Sequence, residues 1–293
     1  MAGAKTGTKS ALAKRLGVSR SSLYYQPKMP KKDEDLREKI VEVMRENPGY
    51  GSPRVAIALG INKKRAARVM KKFDLRPARR SKKPRKPLDQ GKEATGRPNI
   101  VKKLCPIVPN YVWVSDFTYI RFGSRFLYLC TVMDLFTGEV LGSNISNTHD
   151  AKLVRTSLER AILSQGGFPI WFHSDQGSEY ASKEVQDWLE RQGVLISMSP
   201  KSSPWWNGAQ ESFFGRFKLE FGDVERFETT ADLVEALYGQ LNYHNQKRIK
   251  SKLKMPPAAF RKQWYENYAK KSFPYRERPF LHNEVYLFKK GGS

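Results

Sequence analysis

The chain has little cysteine and no long apolar run, and each absence excludes a class of protein. Two cysteines, Cys105 and Cys130, cannot build a disulfide framework, which favours a reducing compartment. The most apolar run, residues 126–133, is far shorter than the ~20 residues of a membrane-spanning helix. The N-terminus lacks the apolar stretch of a secretory signal, and the four histidines form no zinc-ligand spacing with the cysteines. We therefore expect a cytoplasmic protein that does not contact membranes.

Acidic residues are scarce in the first third of the chain. Residues 1–103 hold 29 Lys and Arg against 9 Asp and Glu, a net charge of +20, and residues 104–293 add only +4. This asymmetry favours a basic part that binds a polyanion, most simply nucleic acid, beside a body with another task. The alternative is a solvated basic surface that only improves solubility. With 39% hydrophobic residues the chain can still bury a sizeable core.

Residues 11–25 have the pattern of a helix-turn-helix. Leu12 and Leu16 share one helical face, and Gly17 permits a sharp turn. Ser19 is a suitable N-cap for a second helix. Arg20 and Ser21 would begin that helix, where DNA bases or phosphates are contacted in such motifs.

Residues 51–73 predict a second helix-turn-helix. Ser52 would cap a short helix that ends at Gly60, and Asn62 would cap the next helix. One face of that next helix is apolar and the other is basic. The basic face, which we predict to contact DNA, consists of Lys63, Lys64, Arg65, Arg68, Lys71 and Lys72. Two amphipathic surface helices without a ligand are the alternative.

Composition divides the chain into five predicted segments. Residues 76–103 are rich in Pro, Lys and Arg without apolar periodicity, which is typical of an extended linker. We assign a helix-turn-helix to residues 1–30, a second one to 31–80 and a basic linker to 81–105. Residues 106–250 would form the main domain, and residues 251–293 a helical or extended tail.

The main domain has the alternation of an α/β fold. Apolar and β-branched runs predict strands over residues 111–120, 125–134, 139–146, 169–175 and 194–199. Helical periodicity predicts helices over residues 151–165, 182–193, 209–221 and 231–246. The short turns between the first three strands favour an antiparallel meander. The whole order predicts a mixed five-stranded sheet with helices packed against it.

Three carboxylates stand at positions that suit catalysis. Asp116 lies within a strand, Asp175 follows a buried strand, and Glu211 lies in the first turn of a helix. Such a set, without thiols or a histidine cluster, suits Mg²⁺ or Mn²⁺ and metal-assisted phosphoryl transfer. Taken singly, each has a plain structural alternative: a strand distortion, an ordinary turn residue and a carboxylate favoured by the helix dipole.

Several motifs resemble one family of DNA-processing enzymes. The acids are separated by 58 and 35 residues, and they lie in WVSDFTYI, HSDQGSEYAS and SPWWNGAQESFFGRFKLE. With PGYGSPRVAIALGINKKRAARVMKKFDL and NYHNQKR, these motifs resemble the insertion-sequence-three family transposases, in particular their second-reading-frame product. The resemblance covers about residues 11–260. It implies a ribonuclease H-like catalytic core of the integrase type, which is named for its Asp-Asp-Glu motif, preceded by small helical DNA-binding domains.

The resemblance also implies roles for individual residues. Asp116, Asp175 and Glu211 would be the catalytic residues and would hold two Mg²⁺ or Mn²⁺ ions. Asn207 would shape the loop before Glu211, and Gly215 would let the DNA backbone approach. Lys218 would contact the DNA end, and Lys201 and Arg216 are further DNA-contact candidates, for which a solvated basic surface is the alternative.

The implied activity is that of a bacterial transposase, associated with the nucleoid. It would bind terminal inverted repeats and target DNA, cleave 3′ ends and transfer strands by a copy-out–paste-in route. Two DNA ends imply at least a dimer, with an upstream-frame product as a further partner, although this chain has no sustained heptad pattern. The alternatives are a catalytically inactive DNA-binding regulator and a nuclease of the ribonuclease H type.

Overall fold

A computed structural model describes residues 9–24, 29–78, 98–101, 104–199 and 208–270 of the 293-residue chain. Most of the predicted linker, the loop before Glu211 and residues 271–293 of the predicted tail lie outside these ranges. Within them, none of the helices combines the length and apolarity that a bilayer crossing needs.

The first predicted helix-turn-helix is smaller than expected. Helix α1 (Lys9–Arg15) is followed by a single 3₁₀ turn (Arg20–Tyr24) rather than by an α-helix. Ser19 Oγ accepts from the backbone N–H of Ser22 at 3.3 Å, as a cap does. Leu12 and Leu16, predicted to share one face of the helix, are 48% and 58% exposed. Among residues 9–23 of this unit, only Ala13 is buried. The local signals therefore produce the turn but not a packed two-helix unit.

The second unit is a three-helix domain. Helices α2 (Met29–Glu46), α3 (Ser52–Ala58) and α4 (Lys63–Lys72) enclose an apolar core. Gly51 rather than Ser52 is the N-cap of α3, with Pro53 inside its first turn. Asn62 caps α4 as predicted, accepting from the backbone N–H of Lys64 at 2.8 Å. The core consists of Leu36, Ile40, Tyr50, Val55, Ala56, Ala66, Val69 and Met70.

The main domain contains the predicted mixed five-stranded sheet. Its strands are β1 (Val112–Phe122), β2 (Arg125–Asp134), β3 (Val140–Ser146), β4 (Trp171–Ser174) and β5 (Leu195–Met198). They lie in the order β3-β2-β1-β4-β5. The β1–β2 and β2–β3 pairs are antiparallel, as the meander requires, whereas β1–β4 and β4–β5 are parallel. This order confirms the predicted α/β architecture and places β1 at the centre.

Helices cover both faces of the sheet because its central strands are apolar on both sides. On one face lie α5 (Ala151–Gln165), the short α6 (Ser178–Ala181) and α7 (Lys183–Arg191), packed on Trp113 and Phe172. On the other face lie α8 (Gly208–Phe221) and α9 (Thr230–Gln246), packed on Val112 and Val114. Gly142 allows α5 to approach β3 closely, since a Cβ there would lie 2.2 Å from the Ser157 carbonyl oxygen.

The chain after α9 also packs on the main domain. Helix α10 (Pro257–Lys270) lies against α9, and Arg261 forms an ion pair with Glu139 at 2.9 Å. The segment between them contacts the three-helix domain, where Tyr50 Oη accepts from the backbone N–H of Ile249 at 2.6 Å. Tyr243 Oη donates to Asn47 Oδ1 at 2.5 Å. Polar contacts therefore join the three-helix domain to the main domain.

Candidate active site

Neighbouring parallel strands bring two of the three predicted acids together. The β1–β4 register pairs Val112 with Trp171 and Val114 with His173. Two residues further along this register are Asp116, still inside β1, and Asp175, directly after β4. Asp116 Oδ1 accepts from the backbone N–H of Phe117 at 2.8 Å, and Asp175 Oδ1 accepts from that of Gly177 at 3.0 Å. The sheet topology thus places both carboxylates at one point of the sheet.

Helix α8 brings the third acid to the same region. Glu211 is exposed in the first turn of α8, and it lines an open groove of about 470 Å³ together with Asp116. Gly215 and Lys218 line this groove as well, as expected from their spacing on the helix. Lys218 Nζ donates to the Tyr119 carbonyl oxygen at 2.8 Å and lies 4.8 Å from the centre of the Tyr119 ring. We call this space the acidic groove.

Gln210 fixes the start of α8 on the sheet, a role that the sequence reasoning missed. Its fully buried side chain donates from Nε2 to the Val114 carbonyl oxygen at 2.8 Å. Its Oε1 accepts from Thr131 Oγ1 at 3.1 Å. Both partners lie in central strands beside Asp116, so Gln210 holds the next residue, Glu211, near that carboxylate. The available signal was a polar residue in phase with the apolar positions 213, 214, 217 and 221 of the helix.

The electrostatics of the groove reflect accumulated negative charge. Burial raises the pKa of Asp116 to about 7, and the charges of Asp175 and Glu211 add to the rise, while the Phe117 N–H opposes it. Burial also raises the pKa of Asp175; the Gly177 N–H opposes this rise and the Glu179 charge adds to it. Burial is the larger cause in both cases, and the neighbouring carboxylates add to the cost of ionising these two groups.

The donor set fits a hard divalent cation. Within the described ranges, no group of three or more His, Cys, Asp or Glu side chains surrounds a single point. The charges of Asp175 and Glu211 nevertheless both act on Asp116. Mg²⁺ needs only one or two protein carboxylates, since it retains waters and takes substrate phosphates as further ligands. Two such carboxylate pairs around a shared Asp116 therefore suit Mg²⁺ or Mn²⁺ better than a closed protein cage would.

A second acid lies beside Asp175. Glu179, 8% exposed, bonds through Oε1 to His149 Nδ1 at 2.5 Å. A Cβ at Gly177 would lie 2.8 Å from Glu179 Oε2 and 3.1 Å from Asp175 Oδ1, so a larger residue there would have to displace the ends of both carboxylate side chains. Although burial opposes it, hydrogen bonds from its own backbone N–H and with His149 hold the pKa of Glu179 below its usual value. Glu179 therefore adds negative charge beside Asp175.

The predicted DNA-contact residues fall into several groups. Arg20 and Ser21 are exposed in the 3₁₀ turn. On α4, Lys63, Lys64, Arg65 and Lys71 are exposed. Arg68 instead forms a bidentate pair with buried Asp33 at 2.6 and 2.7 Å, and Lys72 joins it at 3.1 Å. These two side chains tie α4 to α2, and the guanidinium and ammonium groups hold the pKa of Asp33 well below its usual range.

Two other predicted positions, Lys201 and Asn207, lie outside the described residues. Arg216 is exposed, yet it does not line the acidic groove. It lines a second cavity on the other side of α8, beside Glu220 and Arg248. Of the three predicted DNA contacts around α8, only Lys218 therefore faces the acidic groove within the described part of the chain.

Similarity to known proteins identifies the family. Two integrase core domain models match residues 108–204 and 211–265. The putative transposase InsK of insertion sequence element IS150 from Escherichia coli K12 is 33% identical over 261 residues, which are 85% of this chain and 91% of that one. The transposase of IS904 from Lactococcus lactis is 34% identical over 229 residues, 75% of this chain and 90% of its own.

The solved structures that this chain resembles have lower sequence identity to it. The catalytic core domain of HTLV-2 integrase, determined with magnesium in a trimeric form, is 19% identical, with a TM-score of 0.45. It matches 53% of this chain and 98% of its own. The insertion-sequence proteins are more similar in sequence and match a larger share of this chain. The chain therefore belongs to the insertion-sequence-three family of transposases, of the second-reading-frame type, with an integrase core of ribonuclease H-like fold.

Proposed function

We propose that this transposase cuts and joins DNA at the acidic groove with Asp116, Asp175 and Glu211 as its catalytic residues. Family membership makes the chain an insertion-sequence transposase, an enzyme of the polynucleotidyl transferase type. The observation that supports the residue assignment is that Asp116 in β1 and Asp175 directly after β4 lie at neighbouring positions, while Glu211 lines the same groove as Asp116. Burial and the charges of the other two acids raise the pKa of Asp116, in agreement with this proximity. A structural role alone gives no reason to bring carboxylates close enough to repel one another.

Divalent cations complete the proposed site. One HTLV-2 integrase core was determined with magnesium, which supports a divalent metal for this chain as well. Asp116 would be shared between two ions, Asp175 would hold one of them and Glu211 the other. When bound, such ions stabilise the attacking and leaving oxygens of an in-line displacement. The carboxylates must be ionised to hold such ions, so Asp116 would give up its proton when the site is loaded.

The other groove residues position the DNA. Lys218 supplies a positive charge at the groove wall for a phosphate, and Gly215 leaves space for the backbone. In the proposed first step, water attacks the phosphorus at an element end, and the bond to the 3′ oxygen breaks to leave a 3′-hydroxyl. That hydroxyl then attacks a target phosphodiester without any covalent protein–DNA intermediate. A copy-out–paste-in route follows if the first target lies near the opposite end of the element.

The basic N-terminal units are proposed to bind the terminal inverted repeats. Their exposed cations on α4 and in the 3₁₀ turn suit phosphate contacts. Because an element has two ends, we propose that at least two copies act together on the ends and the target. The similar proteins named above give no support for an upstream-frame product as a further partner.

The test replaces one carboxylate with its isosteric amide. We expect Asp175→Asn to abolish cleavage and strand transfer on a terminal-repeat duplex while DNA binding stays near the wild-type level. Asp187→Asn, at an exposed position on α7, is the matched control and keeps full activity. Metal-dependent nicking that persists in Asp175→Asn at the wild-type rate contradicts the assignment. An RNA–DNA hybrid as a parallel substrate tests the ribonuclease alternative, and metal-dependent nicking by the wild type excludes an inactive regulator.

A further inference from the structure

A second cavity lies on the other side of α8 from the acidic groove. Its volume is about 260 Å³, and α8, α9 and the segment that follows α9 enclose it. The positions of α8 that line it are offset by about a third of a turn from those that line the acidic groove. The polar side chains that line it and carry charge or hydrogen-bond donors for a ligand are Ser212, Arg216, Glu220, Gln240, Arg248 and Lys250.

Positive charge exceeds negative charge in this cavity. Glu220 is the one acid among its lining residues, and it is fully engaged with Arg248 through two bonds of 2.6 Å. Both of these side chains are almost completely buried. In the described part of the chain, Arg216 and Lys250 have no ion pair, although Lys250 Nζ donates to the Gly138 carbonyl oxygen at 3.1 Å. Arg216 and Lys250 therefore bring two positive charges to the cavity that no ion pair among the described residues neutralises, although the charge of Glu220 acts on Arg216 and that of Asp134 acts on Lys250.

The titration behaviour of these groups agrees with an excess of positive charge. The pKa of Lys250 falls to about 8 because of burial and because Arg216 and Arg248 repel its charge. Burial and Arg248 likewise lower the pKa of Arg216. The pKa of Arg54, which does not line the cavity, is lowered by burial and by the charges of Arg248 and Arg216. An anion in the cavity would relieve all three repulsions at once.

We propose that this cavity binds a phosphate group between Arg216 and Lys250, with Ser212 and Gln240 as further hydrogen-bond donors. A guanidinium matches two phosphate oxygens in its plane, and an ammonium adds a point charge. Two positive charges that lack an ion-pair partner in the described structure suit a phosphate group, whether it is free phosphate or the singly charged phosphodiester of DNA. The volume accommodates the group without movement of the buried Glu220–Arg248 pair.

The phosphate has two possible sources with the same chemistry. One is free phosphate, and the other is a DNA strand that crosses α8. The helix is about 10 Å wide, and a DNA strand advances about 3.4 Å per nucleotide, so such a phosphate lies about three nucleotides from one in the acidic groove. Only this second source depends on the proposed function.

The first experiment measures phosphate binding without metal or catalysis. Thermal unfolding of the wild-type chain in EDTA near pH 7 is compared in phosphate and in chloride of equal ionic strength. At about ten times its Kd, phosphate should raise Tm by about 3 °C. Arg216→Gln should lose this increase, Arg216→Lys should retain part of it, and Lys262→Gln, exposed on α10, should retain all of it. Without phosphate, Arg216→Gln should unfold at or above the wild-type Tm, since it removes a repulsion.

The second experiment distinguishes the sources. Binding of a terminal-repeat duplex is measured by anisotropy across a salt series, also in EDTA. If the phosphate belongs to DNA, Arg216→Gln lowers the slope of log K against log salt by about 1. An unchanged slope with a lost Tm increase assigns the cavity to free phosphate. If phosphate does not raise the wild-type Tm and the slope is unchanged, the proposal is wrong. None of these readouts needs Asp116, Asp175 or Glu211, so failure here is separable from failure of the catalytic assignment.

Discussion

Gln210 gives a direct test of how the fold positions Glu211. Replacing it with Leu keeps a similar volume but removes the bonds to the Val114 carbonyl oxygen and to Thr131 Oγ1, both inside the core. Each lost bond costs about 1 kcal/mol, and the stranded partners raise the total to about 2–4 kcal/mol. For a chain of this size the Tm should fall by about 4–12 °C. Gln263→Leu, at an exposed position on α10, should leave Tm almost unchanged.

Activity should fall by more than this loss of stability explains. At a temperature where the variant is fully folded, the first turn of α8 is no longer held on β1, so Glu211 moves relative to Asp116. A displacement of about 1 Å lowers rates by up to ~100-fold, and we expect strand transfer to fall by about 10- to 100-fold. A double-mutant cycle with Thr131→Val separates the bond to Thr131 from the bond to Val114. Wild-type transfer by folded Gln210→Leu would refute the positioning role.

The remaining predictions concern charge and packing. Because Asp116 has a folded pKa of about 7 and an ordinary value of 3.8, the folded state holds its proton more tightly, so metal-free stability should fall as pH rises from about 4 to about 7. The loss due to Asp116 is at most ~4 kcal/mol, and Mg²⁺ should offset it near pH 8 and not near pH 5. Asp116→Asn should reduce both effects in thermal unfolding, leaving the smaller pH dependence that Asp175 contributes. Gly142→Ala should destabilise by about 1–3 kcal/mol in urea unfolding, since its Cβ meets α5 backbone, whereas Gly239→Ala, open within α9, should stabilise by up to ~1 kcal/mol. Equal effects of the two glycine substitutions would contradict the close approach of α5 to β3.

The sequence was sufficient for elements defined by local pattern. Alternation and helical period predicted the five strands and helices α5, α7, α8 and α9, because these signals depend on neighbouring residues; the short α6 was not predicted. Helix α2 was missed because its apolar residues, Leu36 and Ile40, lie among many charged ones. Leu12 and Leu16 have the period of a packed helix but remain exposed, since period does not specify what packs against it.

Contacts between distant residues could not be predicted in the same way. The bidentate pair of Arg68 with Asp33 joins residues 35 positions apart, and nothing in the basic face of α4 distinguishes Arg68 from Lys63. Gln210 and Val114 are 96 positions apart. In both cases the contact depends on tertiary packing, which gives the half-exposed Arg68 a buried carboxylate partner and gives Gln210 buried partners in the sheet.

The position of α8 links the chemistry of the two sides of the fold. Its apolar face is fixed by Phe213, Phe217 and Phe221 in the core, and its start is fixed by Gln210. One flank of α8 therefore lines the acidic groove, and the other flank lines the second cavity, which contains Arg216 and Lys250 and is called the cationic cavity. The helix thus lies between a group of carboxylates and a group of cations. A phosphodiester entering the groove meets carboxylates that need cations, whereas a phosphate on the other flank meets cations that need an anion. Any change that rotates α8 must therefore alter both sites together, while Arg216→Gln alters only the cationic one.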